Sequence, residues 1–177
     1  PMSDQLVSTL VNTSKGELSF QSYFVKEKCE PAVSGFRFQG IEHANLQAKL
    51  EQWIHGCQGV IICPSNPYVS VDPFLELNGV KEKLAKIPTI AVSPIIGGQA
   101  LKGPAAKMMR ELGIPSSAET VAEHYSAFLD GFVIDNADRE SAKSIKIPTI
   151  STNTVMLTLS DRISLAEDCL GFLERFL

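Results

Sequence analysis

The chain has 177 residues, 44% hydrophobic and 20% charged, with a formal net charge of −4. That length suits one domain with a real core, built without disulfides or metals. The negative balance argues against a nucleic-acid backbone or an anionic membrane as main partner, and no apolar run reaches membrane-spanning length. Cys29, Cys57, Cys63 and Cys169 show no C-x-x-C spacing and read as reduced thiols, which points to the cytoplasm. The chain opens at Pro1 with no natural start or secretory leader, so it reads as part of a longer protein.

Residues 1–41 have a texture of their own. Leu6 to Val11 and Glu17 to Phe20 alternate loosely around the turn-forming Asn12-Thr-Ser-Lys-Gly16, which predicts a hairpin. A short helix over 21–28 and a strand over 33–40 complete a small α+β subdomain. From residue 42 to 177 helix and strand alternate. A helix over 43–55 places Leu46, Leu50, Trp53 and Ile54 on one face. Strands follow at 59–63, 86–94, 131–135 and 146–151, separated by helices near 73–86, 104–112, 118–129 and 139–145. A last helix over 160–176 offers Ile163, Leu165, Ala166, Leu170 and Leu173 as one buried face. The alternation predicts an α/β fold, three-layered and Rossmann-like, with a mostly parallel sheet and right-handed connections.

The run Val60, Ile61, Ile62, Cys63 suits a strand covered on both faces, and it breaks sharply into Pro64-Ser-Asn-Pro67. In a parallel sheet, ligands sit beyond the carboxyl ends of the strands. The other strands also end in polar or glycine-rich residues: Ser93-Pro94 leading to Gly97-Gly98, Asp135-Asn136, and Thr152-Asn153-Thr154. These loops converge on one edge. Ser65 and Asn66 present a hydroxyl and an amide there, although an ordinary strand-to-helix loop would look the same.

The richest loop runs from Ser93 to Pro104. Paired glycines make backbone nests for anions, and Lys102 adds a charge. A phosphate cradle is one reading and a plain connection with a solvated lysine is the other. Neither G-x-x-x-x-G-K-[ST] nor G-x-G-x-x-G is present. Ser65, His124 and Asp135 do not make a hydrolase triad, because no G-x-S-x-G elbow exists. No Cys, His and carboxylate cluster has metal-site spacing. Asp4 and Asp72 could each help hold a magnesium ion shared with phosphates, while Asp72 before Pro73 also suits a helix cap.

Together these segments resemble a known family. Pro1-Met-Ser-Asp4, Gln21-Ser-Tyr-Phe24, Pro64-Ser-Asn-Pro-Tyr-Val-Ser70, Ala91-Val-Ser-Pro-Ile-Ile-Gly-Gly98, Lys102-Gly-Pro-Ala-Ala-Lys-Met-Met109, His124-Tyr125, Asp130-Gly-Phe-Val-Ile-Asp135 and Thr154-Val-Met156 are similar, in order, to the 2-phospho-L-lactate transferase (CofD-like) family of coenzyme F420 biosynthesis. The likeness covers the later part of that family's chain, without its Gly-Gly-Thr-Gly loop and following acidic segments. The family usually carries Gly at the position of Asp72 and Asp at that of Asn153.

The resemblance implies transfer of a phospholactyl or phosphoenolpyruvyl group from a guanosine diphosphate donor to the deazaflavin FO, releasing GMP. Magnesium is implied as cofactor, with ligands in the family's earlier segments. Nucleotide and phosphate contacts are expected from Ser65, Asn66, Pro67, Ser93, Pro94, Gly97, Gly98, Lys102 and Gly103. Substrate contacts are expected from Met2, Ser3, Asp4, Asp135, Thr152 and Asn153. A homodimer acting on small molecules is the expected assembly. Two other readings stand beside this one: a non-catalytic nucleotide- or nucleotide-sugar-binding regulator of the same fold, and a structural fragment whose open sheet needs a partner.

Overall fold

A computed structural model describes residues 1–100 and 103–177. Strands β1 (Ser8–Thr13) and β2 (Gly16–Ser19) form the expected hairpin, and Gly16 takes a φ of 95° at its turn. Strand β3 (Val33–Gln39) pairs antiparallel on the other side of β1, with a register shift between Asn12 and Thr13. Between β2 and β3 a wide helical turn, Ser22–Lys26, buries Tyr23. The Tyr23 hydroxyl donates to the Cys29 carbonyl at 3.2 Å.

The second half alternates as expected, in the order α1 (Ala48–Gly56), β4 (Val60–Ile62), α2 (Asp72–Leu75), α3 (Val80–Leu84), β5 (Thr89–Val92), the two-residue strands β6 (Ile95–Ile96) and β7 (Gln99–Ala100), α4 (Ala105–Glu111), α5 (Ala118–His124), β8 (Gly131–Asp135), β9 (Thr149–Thr152) and α6 (Leu159–Leu173). Strands β4, β5, β8 and β9 are parallel and lie side by side in chain order. With strands added in one direction, right-handed crossovers all fall on one face. Accordingly Ala91, Phe132 and Ile134 pack against Leu84, Met108 and Val121 on that face. The other face, Ile90, Val92 and Val133, is covered by Leu165, Cys169, Phe172 and Leu173 of α6. The molecule is α/β with helices on both faces of a parallel sheet. One continuous apolar cluster joins Val11 and Val33 of the first sheet, with Tyr23 of the turn between β2 and β3, to the crossover face of the second.

Several expectations are corrected. The helix foreseen from His43 begins at Ala48, where the Gln47 side chain accepts from the Leu50 N–H at 3.0 Å. Its inward positions are Leu50 and Ile54, one turn apart, so Trp53 falls outside that stripe and is 74% exposed. Strand β4 is an edge strand, only half buried, and Cys63 is exposed rather than sealed in a core. The helix expected over 73–86 is two short ones, interrupted at Gly79, whose φ is 74°. On α6 the buried set is Leu165, Cys169, Phe172 and Leu173, spaced i, i+4, i+7, i+8. Ile163 and Leu170 face away from the sheet and are 50% and 54% exposed.

Gly131 at the start of β8 lets α6 sit close: a Cβ there would lie 2.7 Å from the Phe172 ring and 2.9 Å from that of Phe176. Gly131→Ala is therefore expected to cost about 1–3 kcal/mol of stability through overpacking. Urea unfolding with an unchanged m-value is the check.

Candidate functional site

A cleft of about 470 Å³ opens at the carboxyl ends of β4 and β5, beside the segment that follows β2. Pro64, Ser65, Asn66 and Ser70 line one side, and Ser93, Pro94, Gly103 and Pro104 continue it. Phe20, Phe24, Ile96 and Met156 make an apolar side, and Thr154 also lines the cleft. Every one of these described residues is uncharged.

The loop after β4 is held by its own asparagine. Asn66 Oδ1 accepts from the Tyr68 N–H at 3.1 Å, and its carbonyl accepts from the Ser70 N–H at 3.0 Å. Its amide nitrogen reaches Met108 Sδ at 3.4 Å. Pro67 is buried behind it as the first residue of a helical turn. Asn66 thus shapes the wall, while Ser65 and Ser70 are the exposed hydroxyls on it.

Ser93 plays a similar part after β5. It is buried, its Oγ donates to the Ile95 carbonyl at 2.9 Å, and it accepts from the Ile95 N–H at 3.1 Å. The chain then departs from the open cradle expected of it. Gly97 and Gly98, at φ 54° and 75°, form the tight turn between β6 and β7. The Gly97 N–H donates to both Asp138 carboxylate oxygens at 3.0 and 3.1 Å, and the Gly98 carbonyl accepts from Ser116 at 2.9 Å. The anion at this turn is the chain's own Asp138, and the two glycines lie outside the cleft lining. Lys102 lies outside the described residues.

Asp135 is buried at the end of β8. It accepts from the Ala137 N–H at 2.9 Å, the Thr154 N–H at 2.9 Å and the Thr154 hydroxyl at 3.0 Å. Burial acts to raise its pKa, but these donors outweigh burial and hold the carboxyl below its ordinary value. Asp135 therefore fixes Thr154 on the cleft instead of meeting a ligand itself. Thr152 donates its hydroxyl to Asp168 of α6, and Asn153 Oδ1 accepts from the Val155 N–H at 3.2 Å. Both lie outside the lining, as do Met2, Ser3 and Asp4. The Met2 carbonyl accepts from the Gln47 N–H at 2.9 Å, and buried Ser3 donates to Gln5 at 2.9 Å.

Asp72 does not cap its helix by a side-chain bond; its Oδ1 lies 2.7 Å from His124 Nε2. The His124 ring packs edge-on against Tyr68 and Tyr125. Burial first, then the charge on Asp72, pushes the Tyr125 phenol up, and its buried Oη has no hydrogen-bond partner among the described residues. Among the described residues no group of three or more His, Cys, Asp or Glu could hold a metal ion. The described residues of the cleft lining, all uncharged, do not supply a magnesium site.

Residues 1–163 match the family model described as 2-phospho-L-lactate transferase CofD. The chain belongs to this family. It is 41% identical over 139 residues to the 2-phospho-L-lactate transferase of Methanosarcina mazei, covering 78% of this chain and 46% of that protein. To the one from Methanocaldococcus jannaschii it is 38% identical over 176 residues, covering 97% of this chain and 57% of that protein. The chain thus spans about half the length of these relatives. A solved UPF0052 family protein from Bacillus halodurans superposes with a TM-score of 0.58 at 14% identity, over 86% of this chain and 54% of the other. At that identity the likeness shows the fold alone.

Reading the sequence for polar loop residues missed Phe20, Phe24, Ser70, Ile96, Thr154 and Met156, all of which line the cleft. Gln21–Phe24 and Thr154–Met156 were among the segments carrying the resemblance, and that was the available signal.

Asp135→Asn is expected to lower stability at pH 7 by about 1–3 kcal/mol. Because the folded pKa is depressed, the carboxylate's contribution is full above the ordinary value near pH 4 and fades as pH falls through the folded one. Urea midpoints of the two proteins should differ at pH 7 and draw together in acid.

Proposed function

We propose that this chain serves a CofD-type transferase. In that reaction a phospholactyl or phosphoenolpyruvyl group moves from a guanosine diphosphate donor to the ribityl hydroxyl of the deazaflavin FO, in coenzyme F420 biosynthesis. The hydroxyl oxygen bonds to the phosphorus that carries the lactate or enolpyruvate oxygen, the diphosphate P–O bond to GMP breaks, GMP leaves with the electron pair, and the hydroxyl proton is released. Such transfers depend mainly on positioning and on stabilising phosphate charge. The supporting observation is the uncharged cleft at the carboxyl ends of β4 and β5 in a chain that matches the family model over residues 1–163.

Ser65 and Ser70 offer hydroxyls to the donor's phosphates on a wall that Asn66 and Ser93 hold in shape. Gly103 leads into α4 with backbone that a phosphate can approach closely. Lys102 supplies the positive charge. Magnesium, in this proposal, is carried by the phosphates and by carboxylates outside this cleft lining. The protein works as a homodimer in the cytoplasm. One other reading uses the same cleft, a regulator that binds nucleotides or nucleotide sugars without turnover.

A thermal-shift titration with GDP, GMP and UDP-sugars, with and without magnesium, tests the proposal. A guanine-selective rise is expected, worth about 2.7 kcal/mol at a hundredfold excess over Kd. A rise with UDP-sugars alone overturns transfer in favour of the regulator. Lys102→Ala is expected to weaken GDP by about tenfold or more with an unchanged melting temperature of the free protein. Equal GDP affinity removes Lys102 from the site.

A further inference from the structure

The cleft wall after β4 has a fastening behind it that ligand contact does not explain. Asn66 sets the front of this wall, and the N–H groups of Ser70 and Val71 both donate to its carbonyl, at 3.0 and 3.3 Å. Val69 and Ser70 line the cleft. The flanking residues Tyr68 and Asp72 stand four apart in sequence, so they share one side of a helical turn. Both meet the same partner. The Tyr68 ring lies edge-on to the His124 ring with centroids 5.2 Å apart, and Asp72 Oδ1 lies 2.7 Å from His124 Nε2. A carboxylate only accepts, so Nε2 carries the proton of this bond. Phe36 of β3 backs the arrangement, stacked on Tyr68 at 5.8 Å and 12°.

Neither the turn Pro67–Val71 nor the four-residue α2 sustains itself, because a single helical turn gains too few bonds to offset its ordering. Contacts from elsewhere in the fold must hold the back of the wall, and they converge on His124 at the end of α5. The two side chains are only 29% and 16% exposed, so their bond is better shielded than a surface ion pair. We infer that Asp72 and His124 are positioning residues, a clasp that ties the Ser70 wall to α5 and keeps the cleft in shape for its ligand. Neither residue lines the cleft, so the clasp acts through Ser70. The inference rests on the proposed use of this cleft only for what is bound there, since the order of the wall is readable without a ligand. A local role for Asp72, its charge supporting the start of α2, would need no histidine.

Amide hydrogen exchange of Ser70 and Val71, followed by NMR on the whole chain, tests the clasp. Phe132 in buried β8 is the internal reference, its N–H held by the Pro148 carbonyl at 2.9 Å. His124→Phe keeps a ring and loses the donor, while His124→Gln keeps a donor near the position of Nε2. Exchange at Ser70 and Val71 is expected to quicken about tenfold in His124→Phe and in Asp72→Ala, and no further in the double variant. It stays near wild type in His124→Gln, and Phe132 does not move in any of them. Unchanged exchange in His124→Phe overturns the clasp, including the case where Asp72→Ala alone quickens it and the role belongs to α2. Additive acceleration in the double variant overturns it as well, as does equal acceleration in His124→Gln or at Phe132. Calorimetry with GDP as the probe reads the consequence for binding. Affinity is expected to fall about fivefold in His124→Phe and to recover in His124→Gln. GDP affinity unmoved in His124→Phe overturns the positioning role. If exchange behaves as predicted while the wild type binds no GDP, the clasp stands and the guanosine-donor reading fails.

Discussion

Strands β4, β5, β8 and β9 run the same way, so the chain must leave each one and cross back before it can add the next. Right-handed crossovers in a sheet built in one direction put every connection on one face. That constraint leaves α6 to cover the opposite face and brings the carboxyl ends of the strands to one edge. The cleft lies where two of those ends, after β4 and β5, turn away through Pro64–Asn66 and Ser93–Pro94 beside Phe20 and Phe24.

Polar side chains around the cleft mostly secure backbone. Asn66, Ser93, Asp135 and Asn153 each accept from an N–H two residues ahead, so four loops are set by the same local device. Asp135 goes further and reaches Thr154 across the sheet edge. A buried carboxylate with three donors is stable as an anion, and it fixes the Thr154 loop beside the cleft. The surface left for a ligand consists of exposed hydroxyls, glycine backbone and aromatic rings. A wall stiffened in this way can hold a flexible substrate at little cost in its own ordering.

Legibility in the sequence followed the kind of signal each element carried. Gly131–Asp135 was readable to the residue, since a fully buried strand is a short apolar run bounded by Asp130 and Asn136. The hairpin of β1 and β2 was readable from its turn chemistry. Trp53, Cys63, Ile163 and Leu170 were misjudged because periodicity reports a side chain's apolar character, and burial also requires a neighbouring element. Gly97 and Gly98 read as an anion nest, but the partner at that nest, Asp138, lies forty-one residues beyond Gly97 and only the fold brings it there. The apolar side of the cleft was hidden for a similar reason. Phe20 and Phe24 look like ordinary apolar residues at a strand end and on a short helix, and their placement over the cleft depends on how the two sheets pack.

Trp53 is the single tryptophan of the chain and is 74% exposed. It lies with Leu50, Ile54, Val60 and Ile61 along a shallow apolar surface beside the unpaired edge of β4. Indole emission moves to shorter wavelength when water is displaced from the ring. Tryptophan fluorescence of this molecule therefore reports on one place alone, and any strand or helix that comes to rest on that edge announces itself as a blue shift without a label.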